Sequence, residues 1–129
     1  MRQTTLIIFL VLLCAACGPT GSAGGPVELP PGDAGAGDTL FHQKIGELPE
    51  CSSCHSLDGT RGTGPSLQGL SAVAGTRRSG EDATTYTMNS IISPGQYVVP
   101  GFSNLMPAAY GQQLSRQQLA DLIAYVLSQ

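Results

Sequence analysis

The sequence is poor in aromatic residues and in lysine. It has no tryptophan, only three phenylalanines and four tyrosines, and a single lysine, Lys44. A folded domain with so few aromatic side chains buries little apolar area of its own, which favours a bound apolar group that completes the core. The formal net charge of -3 provides no basic surface for nucleic acid or anionic lipid, so we expect no nucleic-acid partner.

Long hydrophobic runs are also missing, apart from one near the start of the chain. The run from Leu6 to Leu13 follows the positive charge of Arg2 and precedes small residues, which is the layout of a secretory signal. It is shorter than the roughly 20 apolar residues that cross a bilayer as a helix, so we expect cleavage and not a permanent transmembrane anchor. The sequence therefore predicts export, with residues 1–16 as the signal peptide.

The end of this segment, Cys14-Ala15-Ala16-Cys17, resembles a bacterial lipobox, in which the final cysteine is lipidated. Lipidation would make Cys17 the mature N-terminus and hold the protein on a membrane, because each buried acyl methylene contributes about 0.8 kcal/mol. Ordinary signal peptidase cleavage after Ala16 is the alternative. We expect the lipoprotein, at the periplasmic or outer face of a membrane.

A stretch rich in glycine and proline separates this segment from the rest of the chain. Residues 18–37 contain seven glycines and four prolines, a composition typical of a flexible linker. We therefore predict a tether over residues 17–37 and one folded domain over residues 38–129. A disordered tail without lipid would have the same composition, and only lipidation at Cys17 separates the two interpretations.

Three helices are predicted in the folded domain, and no segment has the alternation typical of a strand. The last helix begins with a capping box of Ser115 and Gln118. Its apolar face contains Leu119, Leu122, Ile123, Val126 and Leu127. A middle helix is predicted over residues 82–92, and a short first helix is expected to have Asp38 as its cap and Gly46 as its stop. The sequence predicts an all-α domain.

The most informative motif is Cys51-Ser52-Ser53-Cys54-His55. A helical turn presents two cysteine sulfurs, three positions apart, on one side. This spacing lets both thiols add to the vinyl groups of a haem while the next residue, His55, ligates the iron. The motif therefore predicts one covalently attached haem c.

Other chemistries fit parts of the same motif. A redox disulfide normally accompanies a βαβ pattern, and no such pattern surrounds residues 51–55. Zinc or an iron–sulfur cluster needs four ligands, and His42 is the only nearby supplement. Cys54 and His55 are also sequence neighbours, which chelate one metal poorly. A disulfide and a metal site remain the alternatives to haem attachment.

Residues 38–129 resemble class I c-type cytochromes. The resemblance rests on an opening helix, the CSSCH motif, GTGPSL at 62–67, NLMP at 104–107 and the closing amphipathic helix, in that order. The segment from Ser90 to Ser128 is similar to the haem c domain fused to subunit II of some bacterial haem-copper oxidases, and to small membrane-tethered cytochromes. The copper-binding and transmembrane portions of that subunit are missing, so we expect a free-standing relative. The resemblance implies the class I cytochrome c fold, a small helical domain wrapped around one haem.

The resemblance also implies the ligands of the iron. Cys51 and Cys54 would form the thioether attachments, His55 would be the proximal ligand and Met106 the distal ligand. The backbone carbonyl of Pro65 would accept a hydrogen bond from the proximal imidazole, which sets the tautomer and strengthens the imidazole as a donor.

Each assigned residue has an alternative role. Met106 would suit an irregular gap in the core, although its position in a loop before Pro107 allows a rigid turn to aim the sulfur. Met88 is the other candidate distal ligand, but its helical spacing with apolar neighbours indicates core packing. His42 lies on a helix that we expect to face away from the iron. Pro65 would also suit an ordinary Gly-Pro turn.

Histidine and methionine together fill both axial positions of the iron, and the thioether favours the ferrous state. No nucleophile–base pair or carboxylate dyad stands out, so we expect an electron carrier without enzymatic activity or a small-molecule substrate. Its partners would be redox proteins, such as a membrane oxidase or a quinol-oxidising complex of a respiratory or photosynthetic chain, and the single lysine provides no lysine ring for docking. The alternatives are a fixed haem c subunit of a larger oxidoreductase and a haem protein that binds gas or peroxide.

Overall fold

The computed structural model describes residues 28–129, which contain five helices and two short 3-10 turns joined by loops. The signal peptide, the candidate lipidation site Cys17 and the first part of the tether lie outside these residues. One isolated bridge joins Ile45 and Leu48, and the described residues contain no strand, which confirms the all-α prediction. The helices are α1 (Ala34–Phe41), α2 (Leu70–Arg77), α3 (Ala83–Ile92), α4 (Tyr110–Gln113) and α5 (Arg116–Val126).

The first helix begins earlier than the sequence predicted. Its cap is Asp33, whose Oδ1 accepts hydrogen bonds from two backbone N–H groups of the first turn at 2.8 and 3.2 Å. It ends at Phe41, well before Gly46, so the prediction of Asp38 as cap and Gly46 as stop is wrong. The error arose because α1 starts within a glycine-rich stretch that was assigned to the tether.

Small residues let α1 cross α5 at close range. A Cβ atom on Gly37 would lie 2.6 Å from the Cβ atom of Tyr125 and would overlap the carbonyl oxygen of Asp121. A Cβ atom on Gly32 would likewise overlap the α5 backbone. Next to this crossing, the buried ring of Phe41 meets the Tyr125 ring at a centroid separation of 5.4 Å. These glycines serve packing, because only a residue without a side chain fits between the two backbones.

Polar contacts attach the segment before α1 to α5. The backbone N–H of Asp33 donates to Oδ1 of the buried Asp121 at 2.8 Å. The side-chain amide of Gln117 donates both to the same oxygen, at 2.8 Å, and to the carbonyl of Pro31, at 2.9 Å. The end of the segment predicted as a tether is therefore fastened to the domain.

Helices α3 and α5 agree with the sequence prediction, whereas α2 was missed. Asp82 caps α3 by accepting a hydrogen bond from the Thr85 N–H at 2.7 Å, and Ser115 and Gln118 form the predicted capping box of α5. Helix α2 follows Gly69, which has φ +67° and no capping side chain. Its buried residues are Leu70 and Ala74 alone, too few for a clear helical period. The one-turn α4 was missed for the same reason.

The apolar core surrounds one large cavity. Core side chains from all five helices also line its wall: Phe41, Leu70, Tyr86, Tyr110, Leu122 and Val126. A bound apolar group would therefore complete the core, as the low aromatic content predicts. Within residues 28–129, no helix combines the length and the apolar character needed to cross a bilayer.

Candidate haem site

The CSSCH motif folds into one tight turn. Residues Cys51–Ser53 form a 3-10 turn, and the N–H groups of Cys54 and His55 both donate to the Cys51 carbonyl, at 3.2 and 3.0 Å. The hydroxyl of Ser53 donates to the Glu50 carbonyl at 2.7 Å and holds the start of the turn. No disulfide joins Cys51 and Cys54 in the structure. The turn brings both thiols and the imidazole to the wall of one cavity.

This cavity is large and mostly apolar. Its empty volume is about 1320 Å³, including the space open to solvent. The side chains that line it are mainly apolar, so it suits an apolar ligand. Burial in its wall raises the pKa of the Cys51 thiol, which keeps that thiol in its neutral form at physiological pH.

The three candidate distal ligands lie in different places. Met106 is half-buried and lines the same cavity as His55. Met88 lies on α3 and lines a separate groove next to α5. His42 is exposed, and its Nε2 lies 3.5 Å from a carboxylate oxygen of Asp38. Of these three residues, only Met106 shares a cavity with the CSSCH motif.

The imidazole of His55 is oriented by the backbone of Pro65. The Pro65 carbonyl oxygen lies 2.8 Å from His55 Nδ1, and because a carbonyl only accepts, Nδ1 carries the proton and donates. Burial lowers the pKa of His55, while this hydrogen bond opposes that shift. The neutral tautomer that results leaves Nε2 free to bind a metal.

Two glycines of the GTGPSL segment let the following loop lie against the motif. A Cβ atom on Gly64 would lie 2.5 Å from His55 Cε1 and 2.8 Å from Nδ1, and one on Gly62 would lie 2.5 Å from the Cys54 carbonyl oxygen. The Gly64 N–H also donates to that oxygen at 2.9 Å. The GTGPSL segment was recognised as a motif in the sequence, but its close packing against the imidazole is visible only in the fold.

The sequence also did not indicate a role for Tyr110. Its hydroxyl donates to the Pro49 carbonyl at 2.6 Å, so the start of α4 is attached to the residues directly before the motif. Burial, with smaller contributions from Cys51, Cys54 and Glu50, raises the pKa of Tyr110 to about 12. The phenol therefore stays protonated and keeps donating at physiological pH.

The cytochrome c family model matches residues 34–129. The chain belongs to the cytochrome c family. Members of this family bind one covalently attached haem c and transfer electrons. The match begins at the first residue of α1, so that helix is part of the cytochrome domain. No curated protein sequence matches the chain.

The residues of the cavity fit haem c in their chemistry. Two thiols and a neutral imidazole lie on one short turn, a thioether lies on the same cavity, and the remaining wall is largely hydrocarbon. Arg77 also lines the cavity, so this residue could supply a cation to a propionate of haem c. Thioether attachment, axial ligation and burial of an apolar ring are the three interactions that this set of residues can supply.

Proposed function

We propose that this cytochrome is a one-electron carrier whose haem is attached at Cys51 and Cys54 and whose iron is bound by His55 and Met106. The placement of Met106 on the cavity of the CSSCH motif, with Met88 elsewhere, is the observation that carries the proposal. Haem c supplies reversible one-electron chemistry at iron. With two protein ligands there is no free axial position, so the proposed function is electron transfer and not catalysis on a substrate.

The protein residues would tune the iron in three ways. Pro65 holds the imidazole of His55 in one tautomer and strengthens it as a donor. The thioether of Met106 is a soft ligand that favours the reduced state and raises the potential. The apolar cavity wall excludes water, which further disfavours the extra charge of the oxidised iron.

The exposed rim of the cavity provides a place for partner contact. Leu105 and Val98 both line the cavity, yet their exposed fractions are 67% and 36%. The single lysine of the chain is Lys44, on the connection after α1, so the rim has no lysine cluster. We propose that a redox partner, such as a membrane oxidase or a quinol-oxidising complex, docks here mainly through apolar contact.

The proposed setting is a membrane surface outside the cytoplasm. The lipobox-like residues before Cys17 and the glycine- and proline-rich residues that follow support a lipid-anchored protein in a respiratory or photosynthetic chain. The mass of the mature protein tests this setting. A diacylated or triacylated Cys17 supports it, and an unmodified N-terminus at Cys17 contradicts the anchor. A stable complex with other chains after detergent extraction would instead favour a fixed subunit of an oxidoreductase.

The axial ligand is tested by a matched pair of methionine variants. The oxidised wild-type protein should show a near-infrared charge-transfer band between methionine sulfur and iron. Met106→Ala should lose this band, lower the potential and bind carbon monoxide when reduced, whereas Met88→Ala should keep the band. Wild-type spectra and potential in Met106→Ala, or loss of the band in Met88→Ala, would contradict the assignment. Carbon monoxide binding by the reduced wild type would favour a gas-binding function.

A further inference from the structure

Arg61 connects two loops that lie far apart in the sequence. It follows the CSSCH motif, in the loop that leads to Pro65. Its guanidinium lies over the ring of Phe102, with Cζ 4.1 Å from the ring centroid. The same guanidinium donates a hydrogen bond from Nη2 to the carbonyl oxygen of Gly101. One side chain therefore joins the loop after His55 to the loop that leads to Met106.

The loop over residues 98–106 has few other polar attachments. Two backbone hydrogen bonds stay within it, from Phe102 N–H to the Val99 carbonyl at 3.1 Å and from Leu105 N–H to the Ser103 carbonyl at 2.9 Å. Among the hydrogen bonds of residues 28–129, only the one from Arg61 reaches this loop from elsewhere in the chain. Val98 and Leu105 of this loop are also exposed, so part of its apolar surface is not buried.

We propose that Arg61 is a positioning residue that holds the 98–106 loop closed and so keeps Met106 on the iron. The proposal rests on the function proposed above, because it requires Met106 to be the distal ligand. Phe102 lines the cavity only four positions before Met106, so a restraint on its ring limits the movement of the methionine. Losing the restraint shifts the population toward a state in which Met106 has left the iron.

Arginine suits this role better than lysine. A planar guanidinium can stack on a ring with its face while its edge donates to a carbonyl, whereas an ammonium is a compact charge without such a plane. Arg61→Lys should therefore keep the charge but restore only part of the effect. Gly101 has φ +87°, a conformation that favours glycine, and this conformation presents its carbonyl to Arg61.

The test is the affinity of the oxidised full-length haem protein for imidazole, an external ligand that must displace the methionine. Affinity is followed by loss of the near-infrared band. An exposed cation–π contact and a hydrogen bond together correspond to about a tenfold change in an equilibrium constant, so Arg61→Gln should bind imidazole about tenfold more tightly. Arg116→Gln is the matched control, because Arg116 also donates to a backbone carbonyl, that of Glu28, at a different site. This control should bind imidazole like the wild type.

A double-mutant cycle with Phe102→Leu tests whether the two side chains act together. The effect of Arg61→Gln should shrink in the Phe102→Leu background, because the stacking partner is already missing. Equal imidazole affinity in Arg61→Gln and the wild type would overturn the proposed role of Arg61. A change of imidazole affinity in Arg116→Gln as large as that in Arg61→Gln would also overturn it. If Met106→Ala alters the spectrum while Arg61→Gln does not alter imidazole affinity, only the proposed role of Arg61 fails. If Met106→Ala leaves the spectrum unchanged, the assignment of Met106 as ligand fails, and the proposed role of Arg61 fails with it.

Discussion

Helices α1 and α5, through Phe41 and Val126, line the same cavity as the 98–106 loop. The α1–α5 crossing and this loop are nevertheless held in different ways. At the crossing, backbones meet at glycine positions, and buried Asp121 joins α5 to the chain before α1. In the loop, one arginine makes the long-range hydrogen bond, and Leu105 is 67% exposed. A closely packed crossing tolerates little change in side-chain volume, whereas a loop with few contacts can move at small energetic cost. We infer that the crossing determines stability and the loop determines the properties of the iron.

Gly37→Ala should have the largest effect on stability. The new methyl group would overlap the α5 backbone. Overpacking typically costs about 1–3 kcal/mol, and we expect the upper end of this range because the overlap is with backbone and not with a flexible side chain. Denaturant unfolding of the haem-loaded protein measures the loss. Gly35→Ala is the matched control in the same helix, because its Cβ would meet only a side-chain oxygen of Asp33, at 3.2 Å. A similar loss of unfolding free energy in both variants would contradict this role of the crossing, because the loss would then come from the change of residue within α1 and not from the contact with α5.

Tyr110→Phe should have the next largest effect. It removes the hydroxyl that donates to the Pro49 carbonyl and leaves that carbonyl without this partner. Such a loss typically costs about 1–2 kcal/mol. Thermal unfolding measures it, and the near-infrared band should be unchanged because Met106 is untouched. A shifted band would show that α4 also controls the loop.

The cap of α3 should make a smaller, pH-dependent contribution. The Thr85 N–H holds the pKa of Asp82 below its usual value of 3.8. Because the folded pKa is the lower one, the stabilisation is complete above the unfolded pKa and is lost as the pH falls through the folded pKa. Asp82→Asn keeps an acceptor without the charge, so its unfolding free energy should vary less with pH below about pH 4. An identical pH dependence in both proteins would contradict this role of the cap.

Leu105→Ser should change stability least. The side chain is mostly exposed, and substitutions at such positions usually stay within about 0.5 kcal/mol of the wild type. Electron transfer with a partner should nevertheless slow, because the apolar rim of the cavity is interrupted. Stopped-flow kinetics with a small inorganic oxidant provides the control, since that reaction needs no protein contact. A large loss of stability would show that the loop is as well packed as the crossing.

Local features of the chain were predictable from the sequence. The CSSCH turn, the extent of α3 and the capping box of α5 each depend on residues within a few positions of one another. The start of α1 was not, because Gly32 and Gly37 have the composition of a linker and show their packing role only against α5. Helix α2 has too few buried residues to produce a readable period.

Long-range contacts belong to the tertiary structure alone. Tyr110 reaches Pro49 and Arg61 reaches Gly101 across 61 and 40 positions of the chain, and no spacing rule connects such residues. The motif at residues 51–55 determined by itself that haem could be attached, because two thiols and an imidazole lie on one turn. Which methionine shares the cavity with that turn was decided by the fold, because Met106 lines the cavity and Met88 lines a separate groove once the helices have packed.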